Sequence, residues 1–420
     1  MPILEAFGAK VGRLAQEDGM KARSLLLTGY HAQLMKLLCF PNRRLPKSKQ
    51  YLADLVMRYM ISILSHPEKT AMTSLFVPCE PLLSIGYLPY SVEGLSAYMT
   101  GTRCQDALLD AEDGDLSLCS YHRIYLGGTK LGLMPKPKFA IYTNVACDAN
   151  MITFPHLSHQ FGIPRFALDV PYEISAESIS YVASQLQEMI LFIEDCSKRK
   201  VDKDKLKDQV RKSRISCECY QRYLRLQKGR YLVSDVVSNM YEIITNHGLL
   251  GSDGALKYWR MALSDIQRAP LQQGLKILWL HTIPFAQAPV RAALNFSSKA
   301  HISACEMSYE SMLMDMDENR PYLSMAKRLV CSSFNGSVDH RIEQALKVNN
   351  VIDADGAVFF GHWGCKATLG SSSMVKKALE DASLPVLWLD GDGCDLRNQS
   401  DGQTQTRLQA FLEMLEAKKR

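Results

Sequence analysis

The sequence predicts an α/β protein: two Rossmann-like parallel-sheet domains with an N-terminal helical arm and a helical middle segment. Three observations carry that prediction. Short apolar runs at Phe139–Asn144, Leu275–Pro284, Ala357–Phe360 and Val386–Leu389 end in polar or Gly-rich residues and lead into helical patterns, as strands of an open sheet do. This strand–turn–helix order occurs in two separate stretches, from Thr70 and from Leu275. Before and between them lie long segments whose apolar residues recur every three or four positions. The expected layout is an arm over 1–67, a first α/β domain over 68–172, a helical segment over 173–262 and a second α/β domain over 263–420.

The arm shows helical spacing from Ser24 and again from Gln50, with the turn-rich PNRRLPKSK between them. A strand is expected at Thr73–Val77, ending at Pro78, Cys79 and Glu80, then a helix at PLLSIG and a strand from Leu88. A loop rich in acids, from Asp106 to Asp115, leads to a helix start at Leu118–Arg123. Phe139–Asn144 is a buried strand, followed by a helix from Asn150 and a strand over Arg165–Val170. Ser175–Cys196 is an amphipathic helix with Ser175 or Ser178 as its cap. A second long helix starts behind Asp202 and stops at Gly229, and a third spans Val233–Asn246. The second α/β unit continues with a strand at His301, a helix over Tyr322–Phe334, the two strands already named, and a last helix over Thr404–Ala417. Ser371–Ser373 is expected to cap a helix.

Composition narrows the function classes. The chain is 47% hydrophobic and 22% charged with a net charge of +5, an ordinary globular balance that makes no case for nucleic acid. No stretch reaches the ~20 apolar residues of a membrane helix, and the N-terminus, with its acidic residues and no long apolar run, does not read as a signal peptide. A cytoplasmic protein without a membrane partner is expected. Its 12 cysteines are spread along the chain and do not form a compact disulfide framework. There is no GxxxxGK[ST], GxSxG or HExxH, so phosphate-loop ATPase, serine-hydrolase and zincin chemistry have no motif here.

Three cysteines share a context: Cys119, Cys147 and Cys365 each stand at or near a strand end where a helix begins. Backbone N–H groups and the helix dipole at such positions favour a thiolate, the metal-binding form. Three thiolates from two domains suit an iron–sulfur cluster with one iron left open, whereas a closed zinc site wants a fourth ligand. Cys79, at another strand end, is a candidate for that fourth position. Asp390, Asp392 and Arg397 read as turn-forming and salt-bridging residues.

Several motifs together resemble the 2-hydroxyacyl-CoA dehydratase family, which includes benzoyl-CoA reductase subunits. They are Asp390-Gly391-Asp392, Arg397, Gly402-Gln403, Thr406-Arg407 and Phe411 at the C-terminus, HWGC at His362–Cys365, LCSYHR around Cys119, ACD around Cys147, FALDVPYE in mid-chain and VPCEPLLSIGYLP near the first strand. The resemblance covers Thr70 to the end. It implies a [4Fe–4S] cluster held by Cys119, Cys147 and Cys365 in a cleft between two α/β domains, and a 2-hydroxyacyl-CoA substrate that loses water to give a 2-enoyl-CoA. It implies that one electron, added to the thioester carbonyl, gives a ketyl radical whose later form is acidic at the β-carbon, so the enzyme is a radical hydro-lyase of anaerobic habit. It further implies a separate ATP-dependent activator iron–sulfur protein, a related second subunit or a homodimer, and a proton-handling role for Glu80. Alternatives within the resemblance are a reductase of small molecules with a larger, double-cubane-type cluster, and a non-catalytic partner subunit.

Overall fold

The computed structural model describes residues 2–112, 117–272 and 274–419. It contains two four-stranded, wholly parallel sheets. The first is built from β1 (Thr70–Thr73), β2 (Leu88–Ser91), β3 (Phe139–Thr143) and β4 (Arg165–Leu168), in the order β2-β1-β3-β4. The second is built from β5 (Leu275–Leu280), β6 (Ala300–Cys305), β7 (Gly356–His362) and β8 (Val386–Gly391), in the order β6-β5-β7-β8. The two orders are the same. In each sheet the chain lays its second strand on one side of the first and then crosses to the other, so the switch points lie between β1 and β3 and between β5 and β7. Ligands in open α/β sheets bind beyond the carboxyl ends of strands at such points.

Burial explains why these runs became strands. Every residue of β1, β3, β5, β6 and β7 is buried, the signature of a parallel sheet covered on both faces. The first strand lies earlier than the sequence suggests, at Thr70–Thr73 and not Thr73–Val77. Ser74 N–H still donates to the Ile141 carbonyl (3.2 Å), and its hydroxyl accepts from Thr143 N–H (3.1 Å). That side-chain bond ends the ladder and turns Leu75 and Phe76 out beyond the sheet.

The helices follow their caps. Ser175 accepts from Ser178 N–H, Asp202 from Asp204 and Lys205, and Asp235 from Ser238. The helix Asp253–Arg268 has no counterpart in the sequence reading, although Ser252 caps it and Leu256, Trp259, Leu263 and Ile266 give it a buried face. It packs on the helices Lys47–Ser65 and Lys203–Leu226, so the N-terminal arm is tied to the helical middle of the molecule. Ser371–Ser373 cap nothing: they lie inside the helix Lys366–Asp381, whose N-cap is Cys365. The acid-rich stretch begins as a helix, Gln105–Ala111, and Asp113 to Asp115 fall outside the described residues.

Buried polar contacts join the halves. Glu80, beside the first sheet, receives both arms of Arg328 from the second unit, at 2.7 and 2.8 Å. Ser120 donates to Asp392, and Tyr121 OH meets Thr282 Oγ1 at 3.0 Å.

Candidate active site

The carboxyl ends of both sheets open onto one cavity. It is lined by residues after β1 (Leu75, Phe76), β3 (Ala146, Cys147) and β5 (His281, Thr282), and by the last residue of β7 and the loop behind it (His362, Gly364, Cys365), so both switch points feed it. The helix Val92–Gly101 contributes Glu93 and Ala97, and the helix Val236–Gly248 contributes Met240, Ile243 and Ile244.

Cys119, Cys147 and Cys365 line this cavity together, drawn from positions as much as 246 residues apart in the chain (365 − 119). Cys119 and Cys365 are the N-cap residues of the helices Ser120–Lys130 and Lys366–Asp381, while Cys147 lies just ahead of Asn150–Phe161. Cys147 follows a strand and Cys365 closely follows one, but Cys119 follows the helical, acid-rich stretch, so its position is not a strand end. The approach of the three loops is tight. Gly364 has φ +83°, and a Cβ there would come within 2.8 Å of the Cys119 Cα. Only glycine both adopts that backbone and lets the Cys365 loop meet Cys119, which gives the Gly of HWGC a physical reason. Ala146 (φ +63°) and His281 (φ +70°) are non-glycine residues held in the left-handed region beside the cavity, a strain of about 1–2 kcal/mol each.

Around the thiols stand further groups, of which the sequence reading named His362, in HWGC, and did not single out the others. His122 Nε2 lies 3.5 Å from Cys147 Sγ and 3.9 Å from Glu93 Oε1, while its Nδ1 meets Thr153 Oγ1 at 2.9 Å. Donor atoms of Glu93, His122 and Cys147 all lie within 4.8 Å of one another, close enough to share a metal ion. His281 Nε2 is 3.6 Å from Cys365 Sγ, and the His281 backbone N–H is fixed by Glu306 at 2.8 Å. His362 Nδ1 accepts from Gly393 N–H at 3.0 Å. The signals were modest: Glu93 stands two residues past a strand, in the first turn of a helix, and His281 immediately follows a strand.

Burial dominates the electrostatics. It pushes up the thiols of Cys119 and Cys147, and neighbouring cysteines push the same way. Backbone N–H groups of Tyr121 and His122 at Cys119, and of Asn150 at Cys147, pull the other way without prevailing. Helix N-terminal N–H groups thus offset part of the burial cost of a thiolate here, and a bound cation would lower it further. Burial likewise lowers His122 to about 4 and raises Glu93 to about 7.

The donor set fits an iron–sulfur cluster. Three thiols converge, helix N-terminal N–H groups face them, a glycine leaves room where a side chain would clash, and buried acceptor or donor atoms at Glu93 Oε2, His281 Nδ1 and His362 Nε2 have no protein partner. Cys79 lies elsewhere. It is buried outside the lining, its thiol donating to the carbonyls of His247 (3.1 Å) and Val77 (3.3 Å). Glu80 is also absent from the lining, and its oxygens are taken by Arg328 and by Ser213 Oγ at 2.8 Å. Its contacts are those of a clamp between the two units.

The C-terminal motif is likewise held by its own contacts. Asp392 accepts from the backbone N–H of Cys394 and Asp395, both at 2.9 Å; Arg397 pairs with Asp395 and Asp110, and Arg407 with Asp390 at 3.0 Å.

Residues 74–415 match the family described as 2-hydroxyglutaryl-CoA dehydratase, D-component. The chain belongs to that family. Similar proteins include the (R)-phenyllactyl-CoA dehydratase alpha subunit of Clostridium sporogenes, 23% identical over 322 residues, which are 72% of this chain and 78% of the relative. The (R)-2-hydroxyglutaryl-CoA dehydratase alpha subunit of Acidaminococcus fermentans is 23% identical over 303 residues, 68% of this chain and 61% of the relative. A benzoyl-CoA reductase subunit of Thauera aromatica is 21% identical over 360 residues, 77% of this chain and 83% of the relative. Among the described residues of this D-component family member, no helix is long and apolar enough to cross a membrane.

Proposed function

We propose that the chain is the iron–sulfur subunit of a 2-hydroxyacyl-CoA dehydratase, a hydro-lyase that converts a 2-hydroxyacyl-CoA to the 2-enoyl-CoA and water. The observation that carries this reading is the convergence of Cys119, Cys147 and Cys365 on one cavity between the carboxyl ends of the two sheets, in a member of this family. These three thiols would hold a [4Fe–4S] cluster. When bound, it supplies Lewis acidity and one low-potential electron to a thioester, the chemistry that makes a β-proton removable. The chain has no phosphate-binding loop, so that electron comes from a separate ATP-dependent activator protein carrying its own iron–sulfur centre. Relatives that are themselves named as subunits support a related second subunit. We place the complex in the cytoplasm.

The chain's own side chains divide the remaining work. His122 is held by Thr153 on one nitrogen and presents the other to Cys147, which orients that thiol. His281 does the same for Cys365 from a backbone position fixed by Glu306. Of the two carboxylates among the described residues of the lining, Asp148 is exposed, whereas Glu93 has its Oε2 buried without a partner. We assign to that atom the removal of the β-proton once the hydroxyl has left as hydroxide; the proton then passes to that hydroxide and completes the water.

Replacing Glu93 by glutamine keeps the shape and removes the proton acceptor. The variant is expected to keep its iron content and lose about 10²–10⁴-fold in kcat. Unchanged turnover in E93Q would remove Glu93 from the mechanism.

A further inference from the structure

We propose that the acyl group admitted to this cavity is uncharged and apolar, and that a chain ending in a second carboxylate is rejected. The inference rests on the acyl-CoA reading above and names the class of chain. Away from the thiols one part of the lining is hydrocarbon: Leu75, Phe76, Ala97, Ile243, Ile244 and Met307 are buried or half-buried and line the same cavity. They come from four different segments, so the apolar surface is assembled by the fold and is not one helix face.

A buried carboxylate needs a cation or several donors, and the described lining offers it little. Lys366 is the lysine of the lining, and it is exposed, one residue past Cys365. Among the described residues, no arginine lines the cavity. The buried Arg328 and Arg341 of the second unit are saturated elsewhere. Arg328 gives both arms to Glu80, at 2.7 and 2.8 Å. Arg341 is bidentate to Glu306, at 2.8 and 2.7 Å, and gives its third nitrogen to Ser371 at 2.7 Å. His122 and His281 face Cys147 and Cys365, which leaves His281 Nδ1, His362 Nε2 and Thr368 Oγ1 as unpartnered buried polar atoms on side chains of the lining, isolated groups and no fixed cation. The carboxyls that do line the cavity, Glu93 within it and the exposed Asp148, would repel a further one. An apolar chain gains from the hydrocarbon lining, whereas a terminal carboxylate would be desolvated without a partner, a difference worth a factor of about 100 or more in affinity.

The test is competition binding to anaerobically purified, cluster-bearing protein, with 2-hydroxy-4-methylpentanoyl-CoA, 2-hydroxyglutaryl-CoA and free coenzyme A as probes. The expected result is that the branched, uncharged ester binds at least about 100-fold more tightly than the dicarboxylate. A ratio near one, or an inverted one, with both esters bound more tightly than coenzyme A, overturns the apolar preference and leaves the acyl-CoA reading standing. If neither ester binds more tightly than coenzyme A, the acyl pocket and the reading beneath it both fall. Met240→Lys places a cation on the same lining and is expected to shift the ratio toward the dicarboxylate at least about tenfold; an unshifted ratio in folded M240K contradicts the placement of the chain. Where that variant fails to fold, the wild-type ratio decides.

Discussion

Cys147→Ala leaves the chain folded and removes its iron. Three thiols are the minimum set by which one chain holds a cubane with one iron open, and a site reduced to Cys119 and Cys365 cannot retain it. Iron is expected to fall from about four per chain to near zero, with dehydratase activity lost in parallel. The fold should survive because Cys147 lies in a half-buried loop between β3 and the helix Asn150–Phe161, whose packing rests on Phe154 and Leu157. Alanine also removes a thiol that burial had made costly to ionise. Iron analysis and circular dichroism on anaerobic protein check both halves of the prediction. Cys39→Ala, at an exposed position on the arm, is the control and should change neither. Full iron retention in C147A would show that the ligands have been assigned wrongly.

The second large effect concerns stability. Glu80→Ala leaves the Arg328 guanidinium buried without its partner, and breaking a buried pair in this way costs about 3–5 kcal/mol. Burial opposes the charge on Arg328, yet Glu80 more than offsets it and holds the guanidinium above its ordinary range. The pair spans the two units, so denaturant unfolding should begin with their separation and at a lower midpoint. The double variant Glu80→Leu, Arg328→Met removes both charges and should recover most of the loss. Iron per folded chain should stay at the wild-type level in all of them, because neither residue lines the cavity. A Glu80→Ala protein with wild-type stability and lost turnover would restore Glu80 to the chemistry and remove it from the clamp.

Much of this molecule was legible in its sequence, for identifiable reasons. β3, β5 and β7 are short apolar runs with sharp polar ends, the trace of a strand buried on both faces, and the partly exposed edge strand β8 is a similar run. The long helices announced themselves through Ser175 and Asp202 and their amphipathic faces. β1 was displaced because its run of β-formers continues past the point where the Ser74 hydroxyl takes a backbone N–H and turns the chain. The helix Asp253–Arg268 carries its cap and apolar face in plain view, and its surface of Lys, Arg and Asp masked the pattern.

The cysteines stood out because thiols at helix starts are unusual core residues. Glu93, His122 and His281 did not, since each is an ordinary residue until a distant segment arrives beside it: Cys147 for His122, Cys365 for His281, and both sheets for the cavity that Glu93 enters. Glu80 has contacts that its place in the sequence did not suggest. A carboxylate at a strand end reads as a site residue, and only the arrival of Arg328, 248 residues later, makes it a clamp.

The most direct measurement is iron and acid-labile sulfide on freshly purified anaerobic protein, with an EPR spectrum recorded before and after addition of an acyl-CoA. A cubane held by Cys119, Cys147 and Cys365 predicts about four of each per chain and a spectrum that changes with the ester. Protein without a cluster, or one carrying about eight irons per two chains as a single unit indifferent to acyl-CoA, would contradict it.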